Sequence, residues 1–154
     1  MEDDRLAPFA EAFERTHERL WRALLAYSGR ADIASDAAAE AYAQAVRRGD
    51  AIDDVDAWVW RAAFKIAAGE LARGGAASGP PPELPVEASE PAWELIEALA
   101  QVTPRQREVL VLRHVGGFTA PEIARRLDTS AGSVRVSLLR ARRTLRNLLE
   151  ADDD

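Results

Sequence analysis

The sequence predicts an all-α protein of two small helical domains joined by an acidic linker rich in proline and glycine. Apolar residues recur at helical spacings of three and four, and strand signals are nearly missing over the 154 residues. The stretch 74–91 holds five of the eight prolines and three of the nine glycines, which predicts a linker. We therefore divide the chain into a helical bundle at 1–73, the linker at 74–91, a four-helix domain at 92–150 and an acidic tail at 151–154.

The first domain is expected to contain three helices. The first helix is indicated by residues that step by three and four along one predicted buried face. They are Phe9, Phe13, His17, Leu20, Leu24 and Tyr27. The second helix is expected to run from about residue 33–35 to Arg48, where Gly49 is a stop signal. The third follows the carboxylates of 53–56, which favour a helix N-terminus, and ends near Arg73.

Charge is distributed unevenly, although the chain as a whole carries a net charge of -6. Residues 1–100 carry 10 basic and 19 acidic groups, whereas residues 101–150 carry 10 basic groups, all of them arginine, and 4 acidic groups. A basic block inside an acidic protein is typical of a module that binds phosphate groups. The second domain is therefore the part predicted to bind nucleic acid.

Other classes of function find no support in the sequence. Cysteine is absent and only His17 and His114 are present, so neither a disulfide nor a metal site is predicted. We find no phosphate loop and no nucleophile beside a base, so we predict no catalytic residues, no cofactor and no enzyme activity. The chain has no long apolar run and no apolar signal core, which predicts a cytoplasmic protein.

The second domain contains a predicted helix-turn-helix. Thr119 and Glu122 form a capping box before a short helix that is expected to end at Leu127. The turn 128–130 then leads to a longer helix over about 131–149, which Ser130 is expected to cap. A short capped helix, a tight turn and a longer capped helix follow the plan of the motif that places its second helix in the major groove of DNA.

The longer helix has an apolar face and an opposite face that would meet DNA. The apolar face steps through Val134, Leu138, Ala141, Leu145 and Leu148. On the other face, arginine can donate two bonds to guanine, serine can bond bases or phosphate, and Val136 can touch a thymine methyl group. The DNA-binding candidates are Ser130, Ser133, Arg135, Val136, Ser137, Arg140 and Arg143, with Arg125 and Arg126 of the short helix as phosphate contacts.

Four motifs of this domain resemble region 4 of bacterial RNA polymerase sigma factors. They are Thr103-Pro104-Arg105-Gln106-Arg107, Glu122-Ile123-Ala124, Gly132-Ser133-Val134 and Arg140-Ala141-Arg142. The set is most similar to the small two-domain group called extracytoplasmic-function (ECF) sigma factors. The resemblance implies that Ala131 to Arg140 reads the upstream (-35) promoter element, and that the helix from Pro104 faces the polymerase flap.

The first domain is similar to region 2 of the same family in layout. The segment that grips the polymerase clamp helices is matched by Asp36, Glu40 and Tyr42. The helix that melts the promoter's -10 element is matched by Trp58, Arg61 and Lys65. The resemblance therefore implies double-stranded promoter DNA and bacterial core RNA polymerase as partners. It also makes an anti-sigma factor a candidate partner, because such inhibitors are common in the family.

The aromatic residues of the third helix divide between two faces. By spacing, Trp58 and Ala62 face together, and we expect Trp58 to lie in the core. Trp60 and Phe64 form a second face, for which a core position and a contact surface both remain open. A contact surface is an alternative because aromatic side chains stack on bases that have been flipped out of DNA.

The match to region 2 has departures that leave two functions open. Where the family has leucine, a branched apolar residue and glutamine, this chain has Ala37, Ala38 and Ala39, and the usual arginine-asparagine pair is Phe64-Lys65. The leading hypothesis is a sigma factor that recruits core RNA polymerase to a promoter. The alternative is a sigma-derived regulator whose first domain binds another protein and does not melt promoters.

Overall fold

The computed structural model describes residues 2–74 and 90–152, which form α-helices and connecting turns without a β-strand. The helices are α1 (Glu2–Ser28), α2 (Ala31–Arg48), α3 (Val55–Gly74), α4 (Glu90–Leu99), α5 (Pro104–His114), α6 (Ala120–Leu127) and α7 (Ala131–Asp152). The all-helical prediction is confirmed. Most of the predicted linker lies outside the described residues, as do the last two residues of the predicted acidic tail.

Helices α1, α2 and α3 pack into an N-terminal bundle around a core of small and aromatic residues. Every fourth residue of α2 across this contact is alanine, and Ala37, Ala41 and Ala45 are fully buried. Short side chains let α1 and α3 approach α2 closely, while larger residues such as Leu24 and Phe64 fill the remaining volume. Ala37, one of the departures from the sigma-factor pattern, is therefore a packing position.

The buried face of α1 matches the predicted face only in its second half. That half, which includes Leu24, is buried as expected. Phe13 and His17 are exposed instead, and their rings stack with centroids 4.4 Å apart. The prediction is wrong for these two because α2 approaches α1 at Thr16, whose hydroxyl is hydrogen-bonded to the Tyr42 hydroxyl at 2.7 Å.

The aromatic core of α3 is formed by Trp60 and Phe64, which are both buried. Trp58 is only half-buried, and the guanidinium of Arg48 lies 5.5 Å from the centroid of its ring. The expectation of a core position for Trp58 is wrong because α3 turns its Trp60 face towards the C-terminal helices. There the ring of Phe118 meets Trp60 edge-on at 4.8 Å.

The turn between α4 and α5 is held by Arg107. Its Nε donates to the carbonyl of Leu99 at 2.8 Å, and its Nη2 donates to the carbonyls of Ala100 and Val102 at 3.3 and 3.4 Å. These bonds satisfy carbonyls that the end of α4 leaves without partners inside the helix. The chain turns there, and α4 ends at Leu99.

Helices α4 to α7 form a C-terminal bundle that packs against the N-terminal bundle, and one core cluster runs through both. Arg107 contributes to this contact, because its Nη1 donates to the carbonyl of Tyr27 at 3.3 Å and its guanidinium lies 5.3 Å from the Tyr27 ring centroid. Burial in this contact raises the pKa of the Tyr27 hydroxyl. Across residues 2–74 and 90–152, no helix combines the length and the apolar character needed to span a bilayer.

Candidate DNA-binding surface

Helix α6 begins at a two-way capping box. The backbone N–H of Glu122 donates to the Thr119 hydroxyl at 3.4 Å, and the backbone N–H of Thr119 donates to the Glu122 carboxylate at 3.0 Å. These bonds lower the pKa of the Glu122 carboxyl, with the bond from the Thr119 backbone as the largest cause. The capping box and the bounds of this helix are confirmed as predicted.

The turn from α6 to α7 uses a left-handed residue and a second cap. Asp128 has φ 56° and ψ 54°, a conformation that aspartate tolerates better than most residues. The exposed Ser130 accepts a hydrogen bond at its Oγ from the backbone N–H of Ser133 at 3.1 Å, which caps α7. The predicted turn and cap are confirmed, and α7 continues past the expected end at residue 149 to Asp152.

Helices α6 and α7 cross through small and branched side chains. Ile123 and Ala124 of α6 are buried against Val134, Leu138 and Ala141 of α7. The two alanines allow the helix backbones to approach closely, because a larger residue would separate them. This packing fixes which side of α7 faces inward, and therefore which side faces solvent.

The outward side of α7 is exposed and basic. Of the predicted DNA-binding residues on this helix, Ser133, Arg135, Val136, Arg140 and Arg143 are exposed and Ser137 is half-buried. Within residues 2–74 and 90–152, none of the arginines of α7 forms an ion pair. Their charges are uncompensated, so this face can attract phosphates and donate hydrogen bonds to base edges.

One exposed side chain on this face is absent from the predicted set. Leu139 is 61% exposed and lies beside Val136, which is 48% exposed. Sequence reasoning missed it because leucine on an amphipathic helix is usually a core residue. The signal that identifies it is angular: at about 100° per residue, Leu139 lies about 140° from the buried Val134.

The two arginines of α6, predicted as phosphate contacts, face carboxylates of the N-terminal bundle. Arg126 is 7% exposed, and its Nη2 donates to Oδ2 of Asp56 at 2.6 Å. Arg125 is exposed and forms an ion pair with Asp54. Asp54 also caps α3, since its Oδ1 accepts from the N–H of Ala57 at 3.1 Å. The same acidic run therefore starts α3 and holds α6.

Phe118, in the loop before α6, connects the helix-turn-helix to α3. The guanidinium of Arg126 lies 3.8 Å from the centroid of the Phe118 ring. The same ring makes the edge-on contact with Trp60. The carbonyl of Phe118 accepts a bond from Nη1 of Arg113 at 3.1 Å. A Cβ at Gly116 would come within 2.8 Å of the Phe118 ring, so the loop folds over this ring only because residue 116 is glycine.

The predicted polymerase-binding residues of α2 do not share one face. Asp36 and Glu40 are exposed one turn apart. Glu40 accepts bonds from Gln44 at 3.1 Å and Arg47 at 3.0 Å, and these lower the pKa of its carboxyl. Tyr42 is half-buried and turned towards α1, and burial raises the pKa of its hydroxyl. The structure therefore brings Asp36 and Glu40 together and separates Tyr42 from them.

The residues matched to the -10 element lie along the edge of α3 that borders the C-terminal bundle. Arg61 and Lys65 are exposed and Trp58 is half-buried. A cleft of about 480 Å³ next to α6 is lined by Trp58 and Arg61, and a second of about 470 Å³ next to α5 and α6 is lined by Arg61 and Lys65. These three residues are thus close to one another, but they face the C-terminal bundle.

An apolar groove of about 590 Å³ lies elsewhere on the C-terminal bundle, between α4, α5 and α7. Leu95, Leu110, Leu145 and Leu149 contribute to its walls. His114 also lines the groove, and burial lowers the pKa of its imidazole. The groove borders the inner side of α7, so it is separate from the outward basic face.

The sequence of the C-terminal bundle matches a known family. Residues 92–145 match the family described as sigma-70, region 4. Over these residues the C-terminal bundle is similar to a sigma-70 region 4 domain.

The C-terminal bundle is also similar to curated relatives. RNA polymerase sigma-E factor of Streptomyces antibioticus is 42% identical over 59 residues, or 38% of this chain and 33% of that protein. ECF RNA polymerase sigma factor ShbA of Streptomyces griseus is 43% identical over 70 residues, or 46% of this chain and 36% of that protein.

The fold similarity extends beyond the C-terminal bundle. The solved structure of the sigma factor RpoE in complex with the anti-sigma factor NepR, from Bartonella quintana, covers 94% of this chain and 98% of that chain. The TM-score is 0.78 and the sequence identity 18%, so this similarity concerns the fold alone. The chain matches only about a third of the length of its curated relatives. The predicted resemblance to ECF sigma factors is confirmed by these findings.

Proposed function

We propose that this chain is a sigma-type transcription initiation factor that binds promoter DNA through α7 and recruits core RNA polymerase. The observation that carries the proposal is the outward face of α7, which lies in the bundle similar to a region 4 domain and has exposed arginines without ion-pair partners among the described residues. In this proposal the chain is a binding subunit of the cytoplasm that has no catalytic residues and no cofactor.

The proposal gives each part of the chain a separate task. Residues 1–73 hold the polymerase, residues 74–91 act as a tether, residues 92–150 hold the upstream -35 element, and residues 151–154 form an acidic tail. Because polymerase binding and DNA binding are assigned to different bundles, neither part alone positions the polymerase at a promoter.

The DNA contacts divide between bases and phosphates. Arg135 and Arg140, on either side of the outward face, are suited to donate two bonds to guanine in the major groove. Ser133 and Ser137 are suited to base or phosphate contacts, and Arg143, one turn further along, to phosphate. Each phosphate contact releases counterions from DNA, so binding should weaken steeply as the salt concentration rises.

Polymerase contacts are proposed at two places. On α2, the exposed carboxylates of Asp36 and Glu40 are available to a basic partner surface, whereas Tyr42 acts through its packing on α1. On the C-terminal bundle, the apolar groove beside α5 suits a hydrophobic segment of the polymerase flap. An anti-sigma factor is proposed as a further partner, supported by the fold similarity to a sigma factor solved with its anti-sigma factor.

The test combines polymerase capture with transcription. The full chain is mixed with bacterial core RNA polymerase and recovered, and promoters that it selects from random duplex DNA are then transcribed by the complex. Polymerase capture together with specific start sites would support a working sigma factor. Selection of DNA without polymerase capture would reject that function.

Arg140→Ala tests the DNA-facing side of α7. If Arg140 reads a base, the variant should lose about 1–3 kcal/mol of binding to the selected sequence while its affinity for random DNA changes little. Titration of both duplexes by fluorescence anisotropy measures the difference. An equal loss on both duplexes would identify Arg140 as a phosphate contact. No loss on either duplex would show that Arg140 is not part of the DNA-binding surface.

The alternative function, a sigma-derived regulator that does not melt promoters, is favoured by one observation. Trp58, Arg61 and Lys65 border the clefts facing the C-terminal bundle, where a DNA strand would have to replace that bundle. Transcription from a duplex promoter and from one with a pre-opened -10 bubble separates the two functions. Activity on the bubble alone indicates recruitment without melting, and activity on both indicates a complete sigma factor.

A further inference from the structure

Two large apolar side chains stand on the part of α7 that is proposed to meet DNA. Leu139 and Val136 are among the most exposed large hydrophobic residues in the described part of the chain. Their exposure does nothing for folding, because the core contacts of this stretch are made by Val134, Leu138 and Ala141. An exposed apolar pair on a helix that is otherwise basic therefore points to a ligand surface.

The pair lies at the centre of the outward face. With Val134 at 0° and about 100° per residue, Leu139 lies at about 140° and Val136 at about 200°, on either side of the point opposite the core. Arg135 and Arg140 lie further out on the two sides, at about 100° and 240°. Over residues 135–140 the face therefore has an apolar strip in the middle and guanidinium groups along its borders, and Arg143 lies on the midline about one turn further on.

This arrangement matches one feature of the major groove. The largest apolar group that a base pair exposes there is the 5-methyl group of thymine, and the hydrogen-bonding groups and phosphates lie around it. An uncharged apolar protein surface would leave the arginines that border the strip without partners. DNA with thymine in the centre of the site fits both the strip and its border.

A glycine supports close approach of this face to its ligand. Gly132 lies one turn before Val136, at about 160° on the same wheel. A Cβ built there would meet nothing within 4 Å, so packing inside the protein does not require glycine at this position. Its absence of a side chain instead leaves room for the start of α7 to approach a ligand closely.

We propose that Val136 and Leu139 form a specificity surface that reads the methyl groups of thymines on two neighbouring base pairs of the -35 element. This inference rests on the proposed function and deepens it, because it names the base class that the site selects. Residues three apart on a helix have Cβ atoms about 5–6 Å apart, which suits neighbouring base steps about 3.4 Å apart along the axis.

The experiment removes single methyl groups from the DNA. The full chain selects its site from random duplex DNA, and each thymine of that site is then replaced by deoxyuracil, which lacks only the 5-methyl group. For the wild-type chain we expect affinity to fall about fourfold at each of two neighbouring positions, the factor expected for one buried methyl-sized group. For Leu139→Ala and Val136→Ala, one of the two positions should become insensitive to the replacement.

The control is Leu6→Ala, which makes the same substitution at a similarly exposed leucine of α1. This variant should retain both deoxyuracil effects, and circular dichroism should show that all three variants keep their helices. A selected site without sensitive thymines, or sensitivity that survives in Leu139→Ala and Val136→Ala, would overturn the inference and leave the proposed function standing. Failure to select any duplex would overturn both.

Discussion

The two helices of the helix-turn-helix differ in what faces them. The arginines of α6 are held by the N-terminal bundle, with Arg126 bonded to Asp56 and Arg125 paired with Asp54. The arginines of α7 make no ion pair within the described residues. The helix that is proposed to contact phosphates is thus paired with carboxylates of the N-terminal bundle, whereas the helix that is proposed to read bases has no ion pairs within the described residues.

The arginines of α6 take part in the contact between the two bundles. The carboxylates of Asp54 and Asp56 pair with the two arginines that are proposed to contact DNA phosphates. The Arg126–Asp56 pair is also incompletely satisfied, because Nε of Arg126 and Oδ1 of Asp56 are buried without hydrogen-bond partners. Each unsatisfied buried group costs on the order of 1–3 kcal/mol, which weakens the packing of the two bundles against each other.

The largest expected effect comes from removing the ring that joins α6 to α3. Phe118→Ala should lower the free energy of unfolding by about 3–5 kcal/mol, the range for a buried phenylalanine, because Trp60 and Arg126 both lose their packing partner. Urea unfolding followed by circular dichroism measures the loss. The matched control is Phe13→Ala, an exposed phenylalanine, and an equal loss in both would contradict a special role for Phe118.

A smaller effect should separate the two ion pairs of α6. Asp56→Asn should cost about 2 kcal/mol, below the 3–5 kcal/mol of a fully buried pair, because it leaves a buried guanidinium without a counter-charge. Asp54→Asn should cost less than about 0.5 kcal/mol, since that pair is exposed and asparagine still caps α3. Thermal or urea unfolding of both variants provides the comparison. Equal costs would mean that burial does not distinguish the two pairs.

The same carboxylates should limit DNA binding by α6. In the double variant Asp54→Asn, Asp56→Asn, both arginines lose their counter-charge, but only Arg125 is exposed. The slope of log affinity against log salt should therefore steepen by about 0.9, the change expected for one new phosphate contact. The control Asp4→Asn, Asp50→Asn removes the same charge at exposed positions away from α6. If both double variants steepen the slope equally, net charge explains the result and the contact at α6 does not.

The sequence predicts this structure well where signals are local. Thr119 and Glu122 mark the start of α6 and Ser130 marks the start of α7, because a cap and its partner are three residues apart in the chain. The pairing of Asp56 with Arg126 joins residues 70 positions apart and leaves no local pattern, so the sequence alone predicts that Arg126 is free to contact phosphate. The half-buried position of Trp58 and the core position of Trp60, which the sequence left open, have the same origin, because the C-terminal bundle decides which face of α3 is buried.

The smallest effect concerns Glu108, which lines the cleft between α3 and the C-terminal bundle. Burial raises the pKa of its carboxyl, although Arg105 lies 3.4 Å away and opposes the shift. The folded state therefore holds the proton more tightly than the unfolded state. Stability should be greatest below the unfolded pKa and fall as the pH rises from that value through the folded pKa.

Glu108→Gln removes the titrating carboxyl from the cleft between α3 and the C-terminal bundle. The variant should be more stable than wild type at pH 8 by less than about 1 kcal/mol, because the lost pair with Arg105 is partly exposed and contributes little.

Glu122→Gln is the matched control, because the pKa of Glu122 is shifted in the opposite direction from that of Glu108. The pKa of Glu122 is lowered by its cap, so its charge stabilises the fold above the unfolded pKa, and this stabilisation is lost as the pH falls. Urea unfolding between pH 4 and pH 8 compares the two variants. If Glu108→Gln is the less stable protein at pH 8, the cleft solvates the carboxylate, and the contact between the bundles is more open to water than the burial of Glu108 implies.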